Sequence, residues 1–526
     1  MIEKIKNIRV IHYKIYYWSL VVLAVSLPLS PFGVSLAQFI LIGNWIAEKN
    51  FRNKFSSLRK NYALLIFLSI MLFHLLGMIH SSNIAFGFHD IKLKLPLLIL
   101  PFVVGTSRRM SWRPLKILLV LFNWAVFVAT LISMGVYFGV GNVEVDDIRR
   151  ISVIISHERF ALYIILAIYF LLYFLFFEHE KPFKRLINIG LITWFIAFLA
   201  ILKSLTGLVI LSVTFVPFIV YVLRSRKKPA LLIIFAVIFT SVLVYLSVIS
   251  IRTYNEFSNM PNVASDTLDN FTAQGNPYEH DFDLGQIENG RYVGLYISWK
   301  ELEEEWNEIS DYEFMGTDDK GQPIRYTMIR YMTAKGLRKD STGISKLSSE
   351  DIKNIEQGIP NPIFTKQLSF TPRIYQTIWE IDLYRKGKVP AHHSTTQRLE
   401  YIKNSLAIIH DHFWFGIGTG DLEDVVEEYF EKRDTGLPPE RYRRAHNQFI
   451  TIWVTHGLVG FIWFVLAITL PVWILRKHVN YFFGIFFIVA ILSFMGEDTL
   501  VTQSGATFFA YFYALFLFGI RKQKTW

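Results

Sequence analysis

The sequence predicts an all-α polytopic membrane protein, with about twelve transmembrane helices and a large, mostly helical external domain inserted between helices 9 and 10. Three observations carry this. The 526-residue chain is 52% hydrophobic and 16% aromatic, with a mean hydropathy of +0.34. The apolar excess recurs in runs of roughly 18–25 residues, the length a helix rising 1.5 Å per residue needs to cross a bilayer. One long hydrophilic stretch then breaks the pattern late in the chain and is followed by further apolar runs.

In order, the runs fall near 15–30, 32–48, 62–79, 92–105, 115–140, 158–177, 186–203, 206–223, 229–250, 447–475, 479–496 and 505–520. The fourth is short and carries Pro96 and Pro101, which remove helix hydrogen bonds. The first run leads straight into the second, so it reads as a retained span rather than a cleaved leader. The resulting division is an N-terminal membrane domain over 1–251 with about nine spans, an external domain over 252–445, and a C-terminal membrane domain over 446–526 with about three.

Orientation follows from basic residues. Lys4, Lys6, Arg9 and Lys14 precede the first run, and every second connection is basic, including 49–60, 108–116, 181–185, 224–228 and 476–477. Both termini are therefore expected in the cytoplasm and the long hydrophilic block outside. Cytoplasmic loops facing anionic lipid account for much of the net charge of +11, so the charge does not call for nucleic acid. There is no cysteine, which excludes disulfides, thiolate nucleophiles and zinc–thiolate sites.

Within the external block, Ser348-Ser349-Glu350-Asp351 reads as an N-cap with early acidic residues, and Gly358-Ile359-Pro360 as the end of that helix. Apolar spacing predicts helices over 292–309 and 373–384, and amphipathic helices over 397–410 and 423–430. Between the last two lies Gly416-Ile417-Gly418-Thr419-Gly420-Asp421. It lacks the Lys-Ser/Thr of a phosphate loop, and a tight turn needing glycine dihedrals is the expected reading, with an auxiliary substrate contact as the alternative. His392-His393 and His410-Asp411-His412 raise the question of a metal, but their spacing assembles no ligand set, and neither metal nor cofactor is expected. Interfacial belts and lipid-facing phenylalanine are expected to account for most of the aromatic excess, and the phenylalanine pairs near Tyr481 and Phe508 carry no functional information.

The block closes on Arg441-Tyr442-Arg443-Arg444-Ala445-His446-Asn447-Gln448, at the lip of the next span. A basic cluster and a histidine at a membrane surface suit chemistry on a lipid-borne anionic substrate. A second cluster, Arg149, Arg150, His157 and Arg159, stands at the external mouth of the sixth span; binding lipid headgroups, or snorkelling to them, is its alternative role.

Taken in order, Gln397-Arg398-Leu399-Glu400-Tyr401-Ile402, Phe415 to Asp421, Arg444-Ala445-His446-Asn447-Gln448-Phe449, Gly457-Leu458-Val459-Gly460 and Glu497-Asp498-Thr499-Leu500 resemble the O-antigen ligase and polymerase superfamily. So does Asp147 to Phe160. The resemblance implies a glycan transferase that moves a polysaccharide from a polyprenyl diphosphate carrier to an acceptor such as lipid A core. It implies the cell inner membrane, with the large loop periplasmic and membrane lipid as surroundings. A polymerase of the same class, acting on carrier-linked repeat units, is the near alternative, and a polysaccharide transporter or flippase the alternative from another class. No nucleic acid is expected.

The resemblance makes His446 the candidate catalytic residue, as general base or as the group that orients the acceptor hydroxyl, against the reading that it merely caps or packs the start of the next span. Arg398 matches the family's loop arginine; an ion pair with Glu400 is its bland alternative. Arg149, Arg150, His157, Arg159 and Arg444 are the further candidates for substrate binding. Many members carry Ser-Arg before the large loop region, but this chain has Lys203-Ser204-Leu205 there. Lys203 would supply charge without the guanidinium fork that grips a phosphate. Glu497 and Asp498 are expected to activate the histidine, to bind sugar hydroxyls or to cap a helix.

Overall fold

The computed structural model describes residues 2–141, 148–225, 229–259, 268–366, 369–387, 394–433 and 435–521. It divides into two compact units, Met1–Ala236 together with Arg398–Trp526, and Val237–Gln397. The first unit holds α1 (Ile2–Leu29), α2 (Pro31–Ala47), α3 (Phe51–Lys60), α4 (Tyr62–Gly77), α5 (Ile84–Thr106), α6 (Trp112–Tyr137), α7 (His157–Phe177), α8 (Pro182–Ile201) and α9 (Leu205–Ser225). Helix α10 (Pro229–Ser258) crosses into the second unit, which contains α11 (Trp299–Ile309), α12 (Ile324–Ala334), α13 (Ser341–Ile344), α14 (Ser349–Glu356) and α15 (Thr371–Arg385). The chain returns through α16 (Ser394–Asp411) to α17 (Leu422–Arg433), α18 (Gln448–Ile474), α19 (Tyr481–Gly496) and α20 (Gln503–Leu517).

A helix covers each of the twelve apolar runs, but fewer are individually long and apolar enough to cross a membrane. Among the described residues six qualify: α6, α7, α8, α9, α18 and the Ile8–Leu29 part of α1. Helices α3 and α4 together pass as a pair bent by 91°, while α2 and α19 are shorter apolar helices. Helix α5 carries Asp90, Lys92 and Lys94 beside its two prolines, and α20 has 15 residues.

Helices α7 and α20 form the centre of the first unit, and every residue from Gly505 to Leu517 is buried. Phe482, Phe483, Phe486, Phe508, Phe509, Phe512 and Phe516 are all buried. The lipid-facing placement expected for most phenylalanines does not extend to these rings. They pack against Phe122, Phe170 and one another at centroid separations of 5.4–6.4 Å, edge-on in Phe122–Phe512 at 5.4 Å and Phe170–Phe516 at 5.8 Å. Hydropathy cannot tell a ring packed on protein from one packed on acyl chains.

In the second unit the helix expected over 292–309 begins only at Trp299. Ahead of it Ile287–Glu288 and Arg291–Tyr292 pair as an antiparallel hairpin around Asn289 (φ 48°) and Gly290 (φ 73°). An Asn-Gly pair with both residues left-handed is the signal for a two-residue hairpin turn, which helical spacing alone overlooked. Glu288 is fully buried and held by Arg330 at 2.7 Å, Asn361 at 2.8 Å and the Tyr375 hydroxyl at 2.6 Å. The α14 cap follows expectation: Ser348 and Asp351 form a reciprocal capping box, and Gly358 turns left-handed just beyond the helix. Asp351 sits at about 2; burial opposes its ionisation, but the Lys335 ammonium, the Tyr331 hydroxyl and Ser348 outweigh it.

Helix α18 is broken at Gly457 (φ 66°, ψ −172°), and the Phe413–Gly418 segment is stitched onto the break. Ile417 N donates to Val454 O (3.0 Å) and Gly418 N to Thr455 O (2.9 Å), while Leu458 N and Val459 N donate to Phe413 O and Trp414 O (2.8 and 3.3 Å). The loop thus satisfies backbone groups that the break frees, which an apolar setting demands. The Gly-x-Gly motif is a structural turn: Gly416 (φ 70°) and Gly418 (φ 97°) are left-handed, and a Cβ on Gly416 would lie 2.5 Å from Gly457 N. Behind the break His456 Nε2 meets His74 Nδ1 at 3.1 Å, and His74 lies 4.0 Å from Asp90, which pairs with Lys94; all four side chains are buried. Buried charge of this kind persists only when partnered.

Asp421 completes the knot by accepting from Ser82 N (2.8 Å) and Asn83 N (2.7 Å) in the α4–α5 connection. Asp421→Ala strips a buried carboxylate from these donors and is expected to cost about 3 kcal/mol. A lower melting temperature in detergent would register the loss; an unchanged one would mean that water replaces the carboxylate.

Candidate functional site

His446 stands immediately before α18 with a left-handed backbone (φ 47°), a conformation that histidine adopts only where its surroundings impose it. The two residues that follow impose it. The Asn447 side chain caps α18 by accepting from Phe449 N and Ile450 N (3.0 and 3.1 Å), and donates to Met495 O (2.9 Å). Gln448, fully buried, accepts from Leu500 N at 2.7 Å. Thr451 donates to Asp498 at 2.6 Å. The start of α18 is thereby fastened to the turn that joins α19 to α20, and His446 is the member of this run left facing open space.

That space is a cavity of about 290 Å³ lined by Ser156, Glu158, Arg159, Leu162, Thr206, Arg443, Arg444, His446, Ser493, Glu497, Asp498, Thr499, Val501 and Thr502. Its residues come from the first turn of α7, the start of α9, the lead-in to α18 and the α19–α20 turn. A second cavity, of about 530 Å³, shares Ser156 and Arg159 with the first. Its wall mixes apolar Leu27, Pro31, Val34, Val153, Ile154 and Ile155 with Ser152, Gln503 and Ser504, and Arg159 is its one charged residue. Arg159 donates to Ser504 Oγ at 2.8 Å, which holds its guanidinium where the two cavities meet.

Three arginines and three carboxylates line the smaller cavity, so its charge depends on how the acids ionise. Burial, reinforced by the carboxylates of Glu158 and Asp498, pushes Glu497 up to about 7 against the pull of Arg398. Arg398 reaches it from α16 at 2.9 Å. Glu497 Oε2 lies 3.8 Å from His446 Nδ1. Burial lowers the His446 imidazole below its ordinary value; Asp498 resists this, and Arg398 and Arg444 add to it. His446 is thus held neutral and able to accept a proton near pH 7.

Of the residues singled out from sequence, His446, Arg159 and Arg444 line the cavity, and Arg398 joins through Glu497. Lys203, two residues beyond the end of α8, has a left-handed backbone (φ 50°) and does not line it, although Thr206 does. His157 lies 3.1 Å from Glu158, and Arg150 is exposed on a 3-10 turn (Ile148–Ile151); neither is in the lining. The Arg149 side chain and His392-His393 lie outside the described residues. Sequence reasoning missed Glu158, Thr206, Ser493 and Thr502. Glu158 sat inside a motif already noted and Thr206 directly after Lys203-Ser204-Leu205, while Ser493 and Thr502 gave no signal. Among the described residues no three histidine, aspartate or glutamate side chains gather as a metal-ligand set.

Residues 363–465 match the model of a family described as O-antigen ligase, a stretch that takes in Arg398, the Gly416–Asp421 turn, His446 and the α18 break. No curated protein matches the chain. The matched stretch carries motifs that build this site, and over these residues the chain is similar to the O-antigen ligase family.

Proposed function

We propose that the protein transfers a glycan from a polyprenyl diphosphate carrier to an acceptor hydroxyl, as an O-antigen ligase-like enzyme of the inner membrane working on the periplasmic side. The observation that carries this reading is the pair of adjoining cavities with Arg159 at their junction. One has Arg159 as the single charged residue of its lining and suits an isoprenoid chain; the other gathers six charged residues around His446. In the reaction the acceptor hydroxyl oxygen bonds to the anomeric carbon while the bond from that carbon to the diphosphate oxygen breaks. The hydroxyl proton passes to the neutral imidazole of His446, and the electron pair leaves with the polyprenyl diphosphate. Arg159, Arg443 and Arg444 offset the charge that gathers on the leaving diphosphate, the stage at which fixed cations contribute most. Arg398 acts through Glu497, holding the carboxylate that orients the imidazole.

Lipid A core is the acceptor we favour. Purified protein is given a polyprenyl-diphosphate glycan with lipid A core, and the acceptor is followed by gel shift. Retarded lipid A core would establish the ligase reading; longer carrier-linked chains would make the protein a polymerase. No product from either acceptor would overturn glycan transfer to both.

A further inference from the structure

The loop stitched onto the α18 break ends in an aromatic tip that nothing else in the molecule uses. Phe413, Trp414 and Phe415 follow one another, and Trp414 and Phe415 are 60% and 71% exposed. They line neither cavity. Trp453 on α18 supports the base of the tip, its ring 5.6 Å from Phe413. Rigidity comes from the four backbone hydrogen bonds across the break, so the rings are presented rather than loosely tethered. Such exposure in a water-facing loop is costly, at about 25 cal/mol for each Å² of apolar surface.

The surroundings identify what covers it. On α18, Val459 and Ile462 are also exposed and continue the apolar surface along a helix long and apolar enough to cross a membrane. On the other flank the tip is bounded by His410, Asp411 and His412, all exposed. An uncharged Trp-Phe tip, continuous with a span on one side and with a polar collar on the other, has the pattern of a segment seated at the edge of the hydrocarbon layer.

We propose that Phe413-Trp414-Phe415 is a fixed interfacial wedge embedded in the bilayer, and that it sets the depth at which the cavity works. The break at His456–Gly457 lies eight residues beyond the start of α18 at Gln448, which at 1.5 Å per residue places that start, with His446 just before it, roughly 12 Å along the helix from the wedge. A wedge at the hydrocarbon boundary therefore holds His446 outside the acyl region, at the outer edge of the headgroup layer. The depth argument rests on the transferase reading; the wedge does not.

The chain contains no cysteine, so single-cysteine variants need no altered background. Phe415→Cys, and Glu427→Cys on α17 as the water-facing control, are labelled with an environment-sensitive nitrobenzoxadiazole probe. The labelled proteins are reconstituted in phosphatidylethanolamine–phosphatidylglycerol vesicles. The label at 415 is expected to emit at shorter wavelength, to lose most of its emission to doxyl-labelled lipid and to resist iodide, with the reverse at 427. Iodide quenching at 415 matching the control would place the tip in water and overturn the proposal. Resistance to both quenchers would mean that protein covers it, and would overturn it equally. Because no glycan transfer is measured, failure here is separable from failure of the transferase reading.

Discussion

His446→Asn is expected to lower glycan transfer by about 10²–10⁴-fold while leaving the protein folded, the range typical for loss of a positioned general base. Asparagine is the informative replacement because it tolerates the left-handed backbone that His446 occupies, whereas alanine adds strain of about 1–2 kcal/mol. The α18 cap comes from Asn447, so the helix start does not depend on the imidazole. Loss of turnover with little change in donor binding would fit a proton acceptor; retention of activity by the asparagine variant would exclude proton transfer by this residue.

The pH profile sharpens the test. Burial depresses the imidazole, so its neutral, proton-accepting form persists below pH 6.5, and the acid limb of kcat/KM from His446 falls there. Glu497, raised to about 7, ionises near neutrality and sits beside Nδ1, so the wild-type profile should also carry a shallow step near pH 7 as the carboxylate takes up a proton. Glu497→Gln should remove the upper step and leave the lower limb. A Gln variant with an unaltered profile would show that the carboxylate does not orient the base.

The second large effect concerns folding. Gly457→Val is expected to destabilise the membrane unit by more than about 4 kcal/mol, the range reserved for disruption of a tightly packed or strained backbone position. A Cβ at Gly457 would lie 2.2 Å from the carbonyl carbon of Trp414 and 2.3 Å from Phe415 N, with backbone on both sides and no flexible side chain to yield. Relief requires separating the loop from the break, which exposes four backbone hydrogen bonds at once. Gly190→Ala in α8 is the matched control, because nothing lies within 4 Å of its Cβ position and alanine favours the helix. Recovery and melting temperature in detergent should collapse for Gly457→Val and hold for Gly190→Ala. Equal behaviour of the two would remove the knot from the account of stability.

Much of the architecture was readable in the sequence because bilayer-length apolar runs are a property of composition and need no tertiary context. The α14 cap was readable for the same reason: Ser348 and Asp351 are three residues apart and interact locally. The hairpin at Asn289-Gly290 was also local, but helical spacing through Tyr292 and Ile297 masked it. The packing of the Phe482–Phe516 rings on protein was not legible, since hydropathy treats both destinations alike. In the site, the basic lip and His446 stood out as a contiguous run. The Arg159–Ser504 contact spans 345 residues and Arg398–Glu497 spans 99, and no periodicity reports such pairs. The Gly-x-Gly turn was recognised as a turn, but its partner, the broken helix, appeared only with the fold.

The knot also dictates an order of assembly. Asn83 finds its partner Asp421 only 338 residues later. At about 5–20 residues per second, that interval is on the order of 20 to 70 s of synthesis. Throughout it, helices α4 and α5 sit in the membrane with the Asp90–Lys94 pair not yet enclosed by His456. The early helices must therefore wait in a half-finished state, and a chain truncated before Gly457 is expected to remain a substrate for quality-control proteolysis rather than a smaller folded protein.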